Sequence, residues 1–214
     1  MAEALTLIGY HPSVYTRVVR MALSEMGLQA NYIEANPFAA TPDPILASYT
    51  PFDRVPVLRH GDFTLTETAA ILRYLDQISD RASLIPPSAH AAARMAQVIG
   101  VVDAYGYVPM VRDVASHGFY RASVGAPSDP ERVVTGLWAA RPVLTLLNQI
   151  AQEGEALNGN DLTLADLHLA PMMAFFVKVP EAARTLSEFN ALNTWWASML
   201  NRASLGATDP LSQG

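Results

Sequence analysis

The chain has 214 residues, half of them apolar and only 16% charged, which is enough for one large or two small domains around a sizeable core and unlike a disordered segment. Twenty Asp and Glu against fourteen Lys and Arg give a formal charge of -6 with no basic run, which argues against nucleic acid or an anionic membrane surface as partner. Cysteine is absent, so disulfides, cysteine zinc sites, iron-sulfur clusters and a catalytic protein thiol are excluded.

The opening Met1-Ala2-Glu3 carries an acid where an export signal has its positive region, and no export signal is expected. Leu5 to Tyr10 is a short apolar run closed by His11-Pro12, and reads as a strand. Val14, Val18, Met21, Ala22 and Met26 then recur at helical spacing before Gly27. Ala30 to Glu34 forms a second strand, and the proline-rich stretch from Pro37 to Pro51 a loop with at most a short helix around Ile45-Leu46. Val57 to Arg59 and Phe63 to Leu65 flank a hairpin turn at His60-Gly61-Asp62. Ala69, Leu72, Leu75 and Ile78 share one helical face. Residues 1–80 therefore spell a small α/β domain whose first two strands can run parallel through a crossover helix.

Residues 81–89 read as a linker, with Pro86-Pro87 inside it, and 90–214 as an all-helical domain. Helical patterns fall at His90 to Ser116, Pro130 to Ala151, Leu164 to Val177, Glu181 to Glu188 and Leu192 to Arg202, and the tail from Gly206 to Gly214 reads as loose. The most apolar of these runs, Leu167 to Val177, contains His168 and Pro171 and is well short of the roughly 20 residues of a membrane helix. A cytoplasmic protein is the expectation.

Four local signals bear on chemistry or on its support. Thr163 and Asp166 have the spacing of a capping box, which is architectural. Ser13, directly before the first helix, is either a plain N-cap or a hydroxyl donor to a bound anion such as a thiolate. Val55-Pro56-Val57 places a proline at the head of a strand, where the bond is an ordinary trans one or a cis turn. Thr66-Glu67-Thr68 stands where a strand gives way to a helix, so it is either a cap with a favourable first-turn acid or an anion site for a carboxylate. Histidines 11, 60, 90, 117 and 168 lack metal spacing, and neither a serine nucleophile elbow nor a phosphate loop is present.

In their order, these pieces resemble the cytosolic glutathione transferase family over nearly the whole chain. The resemblance is carried by Ser13 with Val18 to Leu23, by Thr50 to Leu58, and by Thr66 to Leu75. The Thr163 to Asp166 cap, and Trp195-Trp196 with Arg202-Ala203-Ser204, are similar to the family's second-domain landmarks. It implies a thioredoxin-like first domain and an all-helical second one. Ser13 would then hydrogen-bond the glutathione thiolate, as in the family's serine-type classes, with Tyr10 as the competing activator. Val55, held by a cis Pro56, would offer its backbone to the cysteinyl part of the tripeptide, Glu67 and Thr68 would hold the γ-glutamyl end, and Arg54 would reach the glycyl carboxylate. Thr68 stands where the family usually has serine.

Asp103 would reach a neighbour's glutathione site in a homodimer, and Tyr10, His11, Tyr105 and Arg112 would line the acceptor pocket. The implied activity is attack of the glutathione thiolate on an electrophilic, largely apolar small molecule, with isomerase, lyase or dehalogenase chemistry as variants and no metal. The alternative is a non-catalytic protein that keeps this fold to bind a partner.

Overall fold

The computed structural model describes residues 4–41 and 43–211. Met1 to Glu3, Pro42 of the proline-rich loop and Ser212 to Gly214 of the tail lie outside them, so the reading of the chain's opening does too. The chain separates into two compact units, one of residues 4–84 with 203–211 and one of residues 85–202.

In the first unit, β1 (Leu5–Gly9) and β2 (Ala30–Glu34) are parallel neighbours joined by the crossover helix α1 (Val14–Met26). Val18, Val19, Met21 and Ala22 are fully buried on α1, and the helix stops at Gly27, whose φ of 69° is a left-handed value that glycine adopts without a Cβ penalty. The proline-rich stretch holds a single helical turn, α2 (Pro44–Ala47), capped by Asp43, whose Oδ1 accepts the Ile45 N–H at 2.9 Å. Next come β3 (Val57–His60) and β4 (Phe63–Leu65), a hairpin turning through Gly61-Asp62 with Gly61 at φ 58°. The four-stranded sheet has the order β2-β1-β3-β4, with β3 antiparallel to both of its neighbours. Helix α3 (Thr68–Ile78) lies beside α1 with Ile71, Leu72 and Leu75 fully buried, while Ile8 and Val57 pack with Ala35 and Leu46 in a separate cluster.

The second unit is helical throughout its regular structure. Helix α4 (Ala89–Val101) runs on into wider, π-helical backbone over Val102–Gly106 and Val108–Tyr120, then α5 (Arg121–Ser123). The expected helix from His90 to Ser116 is thus present with a changed hydrogen-bond pattern. Pro109 lies within it and has no N–H to give to any ladder. Helix α6 (Pro130–Glu153) packs along this π-helical stretch, and Gly136 makes the approach close: a Cβ there would sit 2.8 Å from Asp113 Cβ and 3.0 Å from the Pro109 carbonyl oxygen. Helix α7 (Leu164–Phe176) is buried at every residue and is the core of the unit, followed by α8 (Pro180–Ser187) and α9 (Asn190–Met199). Asp166 anchors it. Its Oδ2 accepts the Thr163 N–H at 2.7 Å and the Thr163 hydroxyl at 2.6 Å, while Oδ1 accepts the Trp195 indole N–H at 2.7 Å.

The C-terminal segment departs from the sequence expectation, which placed 90–214 in one helical domain with a loose end. A last short helix, α10 (Ala203–Ala207), groups with the first unit. The cause is Arg17 on α1, which is 3% exposed and finds acceptors there: its Nη2 donates to the Leu205 carbonyl at 2.7 Å and its Nε to Thr208 Oγ1 at 3.4 Å. Ser204 adds a hydroxyl donated to Glu25 Oε1 at 2.5 Å. Among the described residues, no helix is long and apolar enough to cross a membrane.

Candidate functional site

Strand register alone gathers three of the four sequence signals. Ile8 pairs with Val57 and Leu58 with Leu65, so the C-terminal end of β1, the head of β3 and the end of β4 share one end of the sheet. The loop 10–13, the Val55–Pro56 bond and the Thr66 to Thr68 corner emerge there together. Val55 packs on Ile8, Ala35, Leu46 and Val57, and its bond to Pro56 is cis. Pro56 is buried, while Arg54, two residues before it, is exposed.

Ser13 is the N-cap of α1, with its Oγ accepting the Thr16 N–H at 3.3 Å. The cap and the donor readings are compatible, because a hydroxyl accepts with a lone pair and keeps its own proton to donate. The loop is closed by Ser13 N–H to the Tyr10 carbonyl at 2.8 Å and by Tyr10 N–H to Thr16 Oγ1 at 3.2 Å. Gly9 makes this turn sterically workable: a Cβ there would stand 2.4 Å from Thr16 Cγ2 and 3.1 Å from the Tyr32 ring. The Tyr10 ring meets Phe38 edge-on, with centroids 5.9 Å apart.

At the third corner, Glu67 occupies the N-cap position of α3 with φ 64° and ψ 113°, a left-handed backbone that is sterically disfavoured for glutamate. Its side chain makes no cap hydrogen bond and so leaves the first N–H groups of α3 uncapped, with Glu67 exposed and Thr68 buried. That combination of unsatisfied helix N–H groups and a nearby hydroxyl suits a carboxylate ligand.

The remaining candidates belong to the second unit. Tyr105 is exposed on the π-helical backbone, Arg112 is exposed one stretch further on, and Asp103 places Oδ1 2.7 Å from Nε2 of the fully buried His168. The sequence reading missed that pair, since 65 positions separate its members. It also missed Glu34, whose Oε1 accepts the His11 N–H at 3.1 Å and whose Oε2 accepts the Tyr32 hydroxyl at 2.6 Å. Burial, with the bond to Glu34 second, pushes the Tyr32 phenol far above its ordinary value, so it stays a donor. Among the described residues, no group of three or more His, Asp and Glu side chains could hold a metal ion.

Comparison with known proteins agrees with this layout. Residues 7–83 match the family model described as glutathione S-transferase, N-terminal domain. A glutathione S-transferase of Silene vulgaris is 27% identical over 199 residues, covering 90% of each chain. One from Pseudomonas putida is 29% identical over 178 residues, 83% of this chain and 76% of its own. Among solved structures, glutathione S-transferase III in apo form superposes with a TM-score of 0.82 at 25% identity, covering 96% of this chain and 95% of the other. With a thioredoxin-like sheet unit that matches the family's N-terminal domain, a helical unit and relatives matched along both, this chain is similar to glutathione S-transferases over nearly its whole length.

Proposed function

We propose that this protein binds glutathione at the end of the sheet where loop 10–13, Val55–Pro56 and Thr66 to Thr68 meet, and activates its thiol for attack on an electrophilic, largely apolar small molecule. The observation that carries the reading is the convergence of those three segments, each offering the chemistry that one part of the tripeptide needs. Val55 presents backbone groups to the cysteinyl unit, as in strand addition. Glu67 takes the γ-glutamyl ammonium, and Thr68 with the first turn of α3 takes its carboxylate. Arg54, exposed beside Val55, reaches the glycyl carboxylate.

Ser13 then donates a hydrogen bond to the sulfur at the positive end of α1, so both the hydroxyl and the helix dipole lower the thiol pKa from its free value of about 8.5. In the step itself the thiolate sulfur forms a bond to the electrophilic carbon as the leaving group departs with the electron pair. Ser13 keeps its proton throughout and releases its hydrogen bond as the thioether forms. Tyr10 is the weaker candidate for this role, since its ring is turned against Phe38. Tyr10, His11, Tyr105 and Arg112 are the residues assigned to the acceptor, Asp103 to a second copy's site in a homodimer, and the compartment is the cytoplasm.

The test is a calorimetric titration of glutathione near neutral pH followed by steady-state turnover with a panel of electrophiles. Saturable binding with proton release, corrected for buffer ionisation, and turnover of at least one acceptor are the expected results. Sound folding without binding at millimolar glutathione would leave the fold in the service of partner binding instead.

A further inference from the structure

The loop that carries Ser13 is short, and its backbone donors can be followed one by one. Tyr10 and Ser13 are satisfied within the loop and α1. Pro12 has no donor, and its ring fixes φ between His11 and Ser13. The His11 N–H leaves this local set and donates to a carboxylate on a different element, Glu34 at the end of β2, 23 positions away. That carboxylate is itself held: its second oxygen accepts the Tyr32 hydroxyl at 2.6 Å, and the Tyr32 ring lies over Gly9 where β1 passes into the loop. The parallel pairing of Gly9 with Glu34, continued by Ala35 N–H to the Gly9 carbonyl at 2.7 Å, keeps the two ends in step. On the other side the His11 ring approaches Arg20 Nη1 of α1 at 3.5 Å, and Arg20 also bears electrostatically on Tyr32.

A negative charge beside a site that must stabilise a thiolate is an electrostatic disadvantage, so its presence calls for a geometric role. A charge-assisted bond to a backbone N–H is about twice as strong as a neutral one and is directional. Anchoring His11 one rigid proline before Ser13 fixes where the Ser13 hydroxyl points. We infer that Glu34, oriented by Tyr32, is a positioning residue that aligns Ser13 with the glutathione sulfur. The inference deepens the proposed function and rests on it.

Its test compares Glu34→Ala, Glu34→Gln and Tyr32→Phe with the wild type by amide hydrogen exchange of residues 10–13 in the free protein, by the pKa of the bound thiol from its ultraviolet absorbance, and by kcat and KM. Glu34→Ala should exchange faster in this loop, raise the bound thiol pKa and lower kcat by about tenfold. Glu34→Gln keeps an acceptor and should restore most of both, and Tyr32→Phe should fall between. Unchanged exchange overturns the anchor, and faster exchange with an unchanged thiol pKa overturns the positioning role. A thiol pKa lowered in both Glu34 variants would mean that Glu34 acts through its charge, against the inference. Absence of any bound thiolate in the wild type itself defeats the glutathione reading, a result distinct from each of these.

Discussion

Ile8 and Val57 face each other across the antiparallel β1/β3 ladder. Both are fully buried, and their opposite-face neighbours Leu7 and Leu58 are nearly so, so packing on both sides of the sheet holds this register. Because β1 ends one residue after Ile8 and β3 begins at Val57, this pair also decides that loop 10–13 and the Val55–Pro56 bond lie side by side. A fully buried contact of the first unit therefore builds the candidate site.

Ser13→Ala separates the two jobs of that hydroxyl. Losing a hydrogen bond to a charged group, worth about 1.5–3 kcal/mol, should raise the bound thiol pKa by roughly 1 to 2 units while glutathione affinity stays within a few-fold. Loss of the cap should lower stability by about 1 kcal/mol. Tyr10→Phe is expected to leave the thiol pKa in place; if the two variants behave the other way round in the thiolate titration, the activator is Tyr10.

Gly9→Ala should destabilise the first unit, because its methyl would enter the space of Thr16 Cγ2, 2.4 Å away, in a packed interior where overfilling typically costs about 1–3 kcal/mol. Thr16→Ser removes that methyl and keeps the hydroxyl that accepts the Tyr10 N–H. The double variant should recover part of the loss in urea unfolding, and strict additivity of the two changes would refute the steric account.

Asp166 is a buried polar group that ties α7 to α9 in the helical unit. Asp166→Ala strands the Trp195 indole and the Thr163 N–H in the interior, and at roughly 1–3 kcal/mol per buried unsatisfied donor the unfolding midpoint should drop sharply. Burial is the largest influence on its carboxyl and raises it above 3.8, against the four hydrogen bonds, from the Thr163 hydroxyl and N–H, the Trp195 indole and its own backbone, that pull it down. An acid raised on folding contributes stability that is full below its unfolded pKa and is lost as pH climbs through the folded value. The stability advantage of the wild type over Asp166→Asn, which does not titrate, should shrink from about pH 4 upward; an advantage that grows over that range would show the donors prevailing.

Thr208→Val probes the docking of the C-terminal segment. It leaves Arg17 Nε without its acceptor in a place where the residue is 3% exposed, so a loss of about 1–3 kcal/mol is expected in the first unit's unfolding. Leu200→Ser, at a position 60% exposed, should change stability by no more than about 0.5 kcal/mol.

How far the sequence reaches is plain from the particular elements. The α1 stripe, the Gly61 turn, the crossover and the Thr163 to Asp166 pairing are all local patterns, with their causes within a few residues of one another. Those patterns also bracket the three converging segments, since each lies at a strand or helix end that Gly, Pro or Thr marks. By contrast, the segment from 203 onward reads locally as a tail, and nothing near it announces Arg17, whose partner Thr208 is 191 positions away.

By itself, then, the sequence determined the two-part architecture and the polar groups available at each element's end, because hydrophobic period, capping and turn chemistry act over one or two turns of chain. Only the tertiary structure decided which groups meet: Glu34 with the His11 N–H, Asp103 with His168, and Arg17 with the Leu205 carbonyl. The physical reason is that a hydrogen bond constrains atoms to within about 3 Å, and that distance follows from strand register and helix packing summed over the whole unit, which no local spacing encodes.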